Sequence, residues 1–190
     1  NHTQWAEDDI VNFQVYAVRD KAGSKRAKFV LTSSSPFPFN DGGYAGLTSS
    51  FFPDVYTNQK WNFAVRVKPK THPWNVIVSG SDEGDLNYHY DFYGVSHVGD
   101  TIRSSFYLTG TMTEPEAEQF MTGSKRLYIG AHRTNITGAV LQRSDMRISS
   151  PRVWMTYLSN DEIDAHSRDA RNYGVDHPYR NAYAFQSSSV

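Results

Sequence analysis

Between Trp61 and Lys68 the side chains alternate without a break, with Trp61, Phe63, Val65 and Val67 on one side and Asn62, Ala64, Arg66 and Lys68 on the other. A period of two is the signature of a strand with one buried face. Pro69, which cannot donate to a ladder, ends it. A shorter alternation runs from Ile10 to Val18, with Val11, Phe13, Val15 and Ala17 opposite Asn12, Gln14 and Tyr16, and reads as a half-buried strand. Phe29-Val30-Leu31 follows a charged turn containing Gly23 and pairs back as a hairpin. Trp74 to Ser79, Asn87 to Val95, Ser104 to Thr109, Lys125 to Ala131 and Met146 to Leu158 supply the remaining expected strands. In the Asn87 to Val95 strand Tyr88, Tyr90 and Phe92 alternate with His89, Asp91 and Tyr93, so both of its faces carry aromatic rings.

Helical signals are few. Thr113-Glu114-Pro115-Glu116 resembles one capped turn, and Ser159-Asn160-Asp161-Glu162 is a capping box that predicts a short helix ending near Asn172. Ser33 to Gly46, rich in Ser, Pro and Gly, reads as a long loop, and Val175 to Val190 as a strap or tail, with 179–190 its outermost part. Many short strands without strand–helix alternation exclude a parallel α/β sheet and leave an all-β sandwich of two antiparallel sheets with one short C-terminal helix, formed by a single domain over 1–190. Within it Trp61, Phe63, Val65, Val67, Leu127, Ile129, Val153 and Met155 are the expected core set, while Trp154 points the other way.

The 190 residues carry 19 Lys+Arg against 20 Asp+Glu and no cysteine, which excludes disulfides, thiolate metal sites and cysteine nucleophiles. A charge this close to neutral argues against a nucleic-acid partner, and the short apolar runs argue against membrane insertion. Lacking an initial Met and a signal-like stretch, the chain is expected to be processed or to belong to a longer polypeptide.

The run Lys125-Arg126-Leu127-Tyr128-Ile129-Gly130-Ala131, followed some twenty residues later by Arg152-Val153-Trp154-Met155-Thr156-Tyr157-Leu158-Ser159-Asn160-Asp161-Glu162-Ile163, resembles the C-terminal signature of laminin-G-like domains of the concanavalin A-like lectin/glucanase superfamily. Trp61-Asn62-Phe63-Ala64-Val65 is similar to an internal strand of that family, with Asn62 and Phe63 where a pair of histidines is usual. The resemblance implies a jelly roll and a role in adhesion or recognition. It also implies a calcium ion at a rim of the sandwich, for which Asp82, Glu83 and Asp85 are the candidate ligands, with Asp41 or Asp145 as further donors; the same acidic run also reads as a solvated turn.

Some relatives by fold hydrolyse polysaccharides, which takes two carboxylates flanking one bond. On a strand those acids must share a face, and no such spacing occurs here, so no enzyme is expected. The seven histidines form no zinc-binding pair. Sugar recognition uses aromatic faces beside short polar groups, and Phe37, Phe39, Tyr44, Trp74 and Tyr93 are the candidate platforms, each of which also reads as a core or loop-anchoring ring. Asn1-His2-Thr3 and Asn135-Ile136-Thr137 are glycosylation triplets that matter only in a secreted eukaryotic protein. Together these features lead to the expectation of a non-catalytic binding or structural module in an extracellular or virion-surface assembly, recognising a glycan or a protein surface; a polysaccharide hydrolase and a pure protein scaffold are the alternatives.

Overall fold

The computed structural model describes residues 13–33, 46–70, 88–122, 129–133, 139–144 and 146–169. Within them the chain is mostly antiparallel β with two short helices. Strands β1 (Phe13–Arg19), β2 (Ala27–Ser33) and β3 (Leu47–Thr48) form one sheet in that order; β4 (Asn62–Pro69), β5 (Tyr88–Val98) and β6 (Thr101–Met112) form a second. Helix α1 (Glu114–Thr122), the two-stranded β7 (Ala131–Arg133) and β8 (Val140–Arg143), and helix α2 (Asn160–Arg168) follow. No described helix is long and apolar enough to cross a membrane.

The hairpin expected around Gly23 closes, and a second closes around Gly99. Arg19 pairs with Ala27 around Gly23, and Val98 pairs with Thr101 around Gly99, both glycines at positive φ. The second sheet is central to the molecule because β5 lies between β4 and β6, and seven consecutive β5 residues from Tyr90 to Ser96 are buried. Its first face packs on β2: Phe29 and Leu31 meet Phe92, with Val65, Phe106 and Leu108 around them. Ring centroids stand 4.6 Å apart for Phe29 and Trp61 and 4.9 Å apart for Phe92 and Phe106, within the range where aromatic pairs attract. Room for these rings comes from glycine. Gly94 sits opposite Phe106, and a Cβ there would come within 2.3 Å of that ring; Gly110 sits opposite Tyr90 under the same constraint, at 2.2 Å.

The edges of both sheets are more open than alternation alone implies. Val15 lies opposite Leu31 and Ala17 opposite Phe29, so the apolar side of β1 shares the core face, yet Phe13, Val15 and Ala17 stay exposed because β1 is an edge strand among the described residues. For the same reason Trp61, Val65 and Val67 are half-buried and Phe63 is exposed, although Trp61, Phe63 and Val65 face the aromatic core and Val67 the neighbouring Tyr90 cluster. Phe13 also meets Phe120 of α1 at 5.5 Å, and Phe120 leans on the neighbouring cluster of Tyr90, Met112 and Ala117.

The C-terminal third departs from expectation. Residues 146–158 join no ladder, and Val153 and Met155, expected in the core, are 86% and 100% exposed. The expected pattern is offset by one residue: Trp154 and Leu158 face inward, against Tyr93, Val95 and Ile163. Ile129 is likewise exposed, because Gly130 at φ +71° turns the chain before β7 begins at Ala131. Leu127, the strand expected at Trp74 to Ser79, the loop 34–45 and the tail from 170 onward lie outside the described residues.

Among the described residues two helices stand where one was expected, since the Thr113 signal starts a nine-residue α1: Glu116 accepts from the Thr113 N–H at 2.7 Å and from its hydroxyl at 2.8 Å. At α2 the capping box forms as read, Ser159 Oγ accepting from the Glu162 N–H and Glu162 accepting from the Ser159 N–H. The helix stops at Arg168 rather than near Asn172, because Asp169 adopts extended backbone geometry (φ −127°, ψ 113°) while its N–H closes on the Ala165 carbonyl.

This placement of the core sets two substitutions apart. Phe92→Ala should cost about 3–5 kcal/mol in urea unfolding, because the ring is enclosed on the core face. Met155→Ala should stay within about 0.5 kcal/mol of wild type. Comparable losses from the two would contradict the packing.

Candidate functional site

The second sheet has another face, and it is polar. In register across β4, β5 and β6 it presents Lys68, His89 and Thr111; then Arg66, Asp91 and Thr109; then Ala64, Tyr93 and Tyr107; then Asn62, Val95 and Ser105. Such a row on an exposed sheet would be solvated. Here residues 154–158 and α2 lie over the half carrying Tyr93 and Val95, with Trp154, Leu158 and Ile163 packed against them.

At the margin of that cover sits Arg66, only 7% exposed, opposite Asp91 at 0%. The guanidinium donates from Nη1 to the Leu158 carbonyl and from Nη2 to Asn160 Oδ1, both at 2.7 Å. Its Nη2 lies 3.9 Å from Asp91 Oδ2. Three tyrosine rings surround it, Tyr157 at 4.9 Å, Tyr93 at 5.5 Å and Tyr107 at 5.8 Å from its carbon to the ring centroids. The Tyr157 hydroxyl donates to Asp91 Oδ2 at 2.8 Å and accepts from Lys68 Nζ at 3.3 Å. Lys68 also lies 4.6 Å over the Tyr157 ring. A buried charge survives only when paired and hydrogen-bonded, and this pair is incompletely served: among the described residues Arg66 Nε and Asp91 Oδ1 have no hydrogen-bond partner.

Behind the cover, the Tyr93 hydroxyl donates to Asp164 Oδ1 at 2.7 Å. Ser167 Oγ lies 2.8 Å from both the Asp164 carbonyl oxygen and His97 Nδ1. Lys60 Nζ donates to the Ser167 carbonyl. Ser167 is buried, and its contact with His97 tethers α2 to β5. Burial first, and then the hydrogen bonds to Asp164 and Asp91, push the phenols of Tyr93 and Tyr157 far above their ordinary value. Tyr107 is raised by burial and by the same Asp91 carboxylate. His166, edge-on to Trp154, is lowered by burial and by the neighbouring Arg152 and Lys60 charges.

Of the five rings expected as sugar platforms, Tyr93 is buried with its hydroxyl engaged and offers no open face; Phe37, Phe39, Tyr44 and Trp74 lie outside the described residues. So do Asp82, Glu83 and Asp85, with Asp41 and Asp145. Among the described residues no group of three or more acids and histidines could hold a metal ion. A ring that stands open on this face is Tyr107, 45% exposed, next to the exposed Thr109, with the exposed Thr111 and the half-buried Lys68 and His89 two rows further along. Its signal was available: Ser105, Tyr107 and Thr109 form the polar side of the strand expected there. Within β4, β5 and β6 Asp91 is the sole acid, so these strands supply one carboxylate to the face and not two.

The Arg66–Asp91 pair makes a sharp demand on stability. Arg66→Met leaves a buried carboxylate without its cation and should cost about 3–5 kcal/mol, whereas adding Asp91→Leu should recover most of the loss. Urea midpoints that fall further in the double variant would show that the two groups are not coupled.

A second expectation concerns alkali. Folded Tyr93 and Tyr157 ionise above the ordinary value of 10.0, so the unfolded chain releases their protons first. Their stabilising effect is complete below about pH 10 and is lost as pH rises from there toward the folded values. Tyrosinate absorbance should therefore appear in two stages, the second coinciding with loss of circular dichroism. Ionisation of all twelve tyrosines in one stage near pH 10 on an intact fold would contradict it.

Comparison of the chain with protein-family models, with curated proteins and with solved structures returns no match.

Proposed function

We propose that this chain is a non-catalytic recognition module, a laminin-G-like jelly-roll sandwich that binds a glycan through the polar face of its second sheet within a larger extracellular or virion-surface assembly. The observation that carries the reading is the division of that face. One half is sealed by α2, and the other leaves Tyr107 next to Thr109 on its strand, with Lys68, His89 and Thr111 two rows further along. An aromatic ring bordered by short polar groups suits the alternating apolar and hydroxylated faces of a sugar. The single acid in the strands, already held by Arg66 and Tyr157, favours binding over glycoside hydrolysis. Met146, Ile148, Val153 and Met155, all exposed along one stretch, support a contact with another chain in the assembly.

Affinity electrophoresis through gels carrying polysaccharides, paired with a reducing-end assay, tests this reading. Retention without release of reducing ends is expected, and Tyr107→Ala should weaken retention about tenfold, or roughly 1.4 kcal/mol. Reducing ends that disappear on Asp91→Asn would make the protein a hydrolase, and retention indifferent to Tyr107 would move the site elsewhere.

A further inference from the structure

Among the described residues the open half of the face is rich in donors and poor in acceptors, and this says what its ligand must offer. Lys68 brings an ammonium with three N–H donors, of which one is spent on the Tyr157 hydroxyl. No ion pair joins Lys68 to a carboxylate among the described residues; the nearest acid in register, Asp91, already serves Arg66 and the Tyr157 hydroxyl. His89, the cross-strand partner of Lys68, has no hydrogen-bond partner among the described residues, and Thr111 follows it in the same row. Counting Arg66, Lys68 and Asp91 together, two cations face one anion.

A neutral sugar presents hydroxyl groups that both donate and accept, and a site built for it needs accessible acceptors such as carboxylates or amide oxygens for the sugar's own protons. Among the described residues the open half has only hydroxyl oxygens and an imidazole to offer. An oxyanion, which only accepts, matches this donor set, and hydrogen bonds from an ammonium to an oxyanion are about twice as strong as neutral ones. Lys68 is also held in place before any ligand arrives, its stem lying in the sheet and its head over the Tyr157 ring, so little side-chain entropy remains to be lost.

We infer that Lys68, with His89 and Thr111 in its row, forms an anion subsite, and that the ligand of this face is an acidic polysaccharide whose carboxylate or sulfate ester sits there while a sugar ring lies on Tyr107. The inference rests on the recognition reading proposed above and narrows it to one class of ligand.

The test uses the whole chain with four immobilised polymers: polygalacturonate, dextran sulfate, uncharged dextran and poly-glutamate. Binding to at least one of the two acidic polysaccharides is expected, at least about tenfold tighter than to dextran and weakening as salt is raised from 50 to 300 mM. The two acidic arms distinguish a carboxylate from a sulfate ester as the bound group. Lys68→Met, which keeps the stem over Tyr157 and removes the charge, should abolish that preference while thermal unfolding by circular dichroism stays cooperative. Lys68→Arg should retain it. Dextran bound as tightly as the acidic polymers would overturn the anion subsite and leave the recognition reading standing. Equal binding of poly-glutamate would overturn the polysaccharide assignment, and failure to bind any of the four would overturn both.

Discussion

One guanidinium ties the polar face of the molecule together. Arg66 lies on an edge strand with its side chain directed away from the aromatic core, where an arginine ordinarily reaches into water. It is instead enclosed, and what encloses it comes from far along the chain: the Leu158 carbonyl and the Asn160 side chain take its protons, and Tyr157 takes its face. These bonds span 92 and 94 positions of sequence. They end at the residues that open α2, so the helix is fixed at its first turn by a side chain of the sheet. Asp91 is the counter-charge that makes burial of the arginine tolerable, and the Tyr157 hydroxyl links Asp91 to Lys68 at the border of the open half. Removing the arginine therefore acts on the cover, on the carboxylate and on the edge of the proposed binding surface together.

The fold was legible where a local rule dictates the outcome. Alternation gave β4 and both faces of β5, Gly23 marked the first hairpin, and the spacing of Ser159 and Glu162 gave the cap of α2. It was not legible where partners are distant. Period two cannot say which of its two side-chain sets a strand will bury, and along Val153, Trp154 and Met155 the larger Trp154 ring turns inward against Tyr93 and Val95. Nor can it tell an edge from a centre, which is why Phe63 and Val15 are more open than their pattern suggests.

The site shows the same division. Tyr93 was a reasonable ring to expect at a surface, since it alternates with Phe92 on a strand aromatic on both sides, and only the arrival of α2 makes it a buried donor to Asp164. Tyr107, its register partner on β6, inherits the exposure that Tyr93 loses. Arg66 and Asp91 could not be paired by inspection, because their opposition depends on the register between two strands separated by a long connection. The covered half of the face supplies rigidity and the open half is the proposed contact surface, and both depend on where the cover stops.

Amide hydrogen exchange on wild type and Arg66→Met addresses that dependence most directly. If the guanidinium holds the cover in place, residues 160–168 lose protection in the variant while the β5 and β6 ladder keeps its own. Unchanged protection of α2, or equal loss through helix and sheet alike, would contradict a cover held by Arg66.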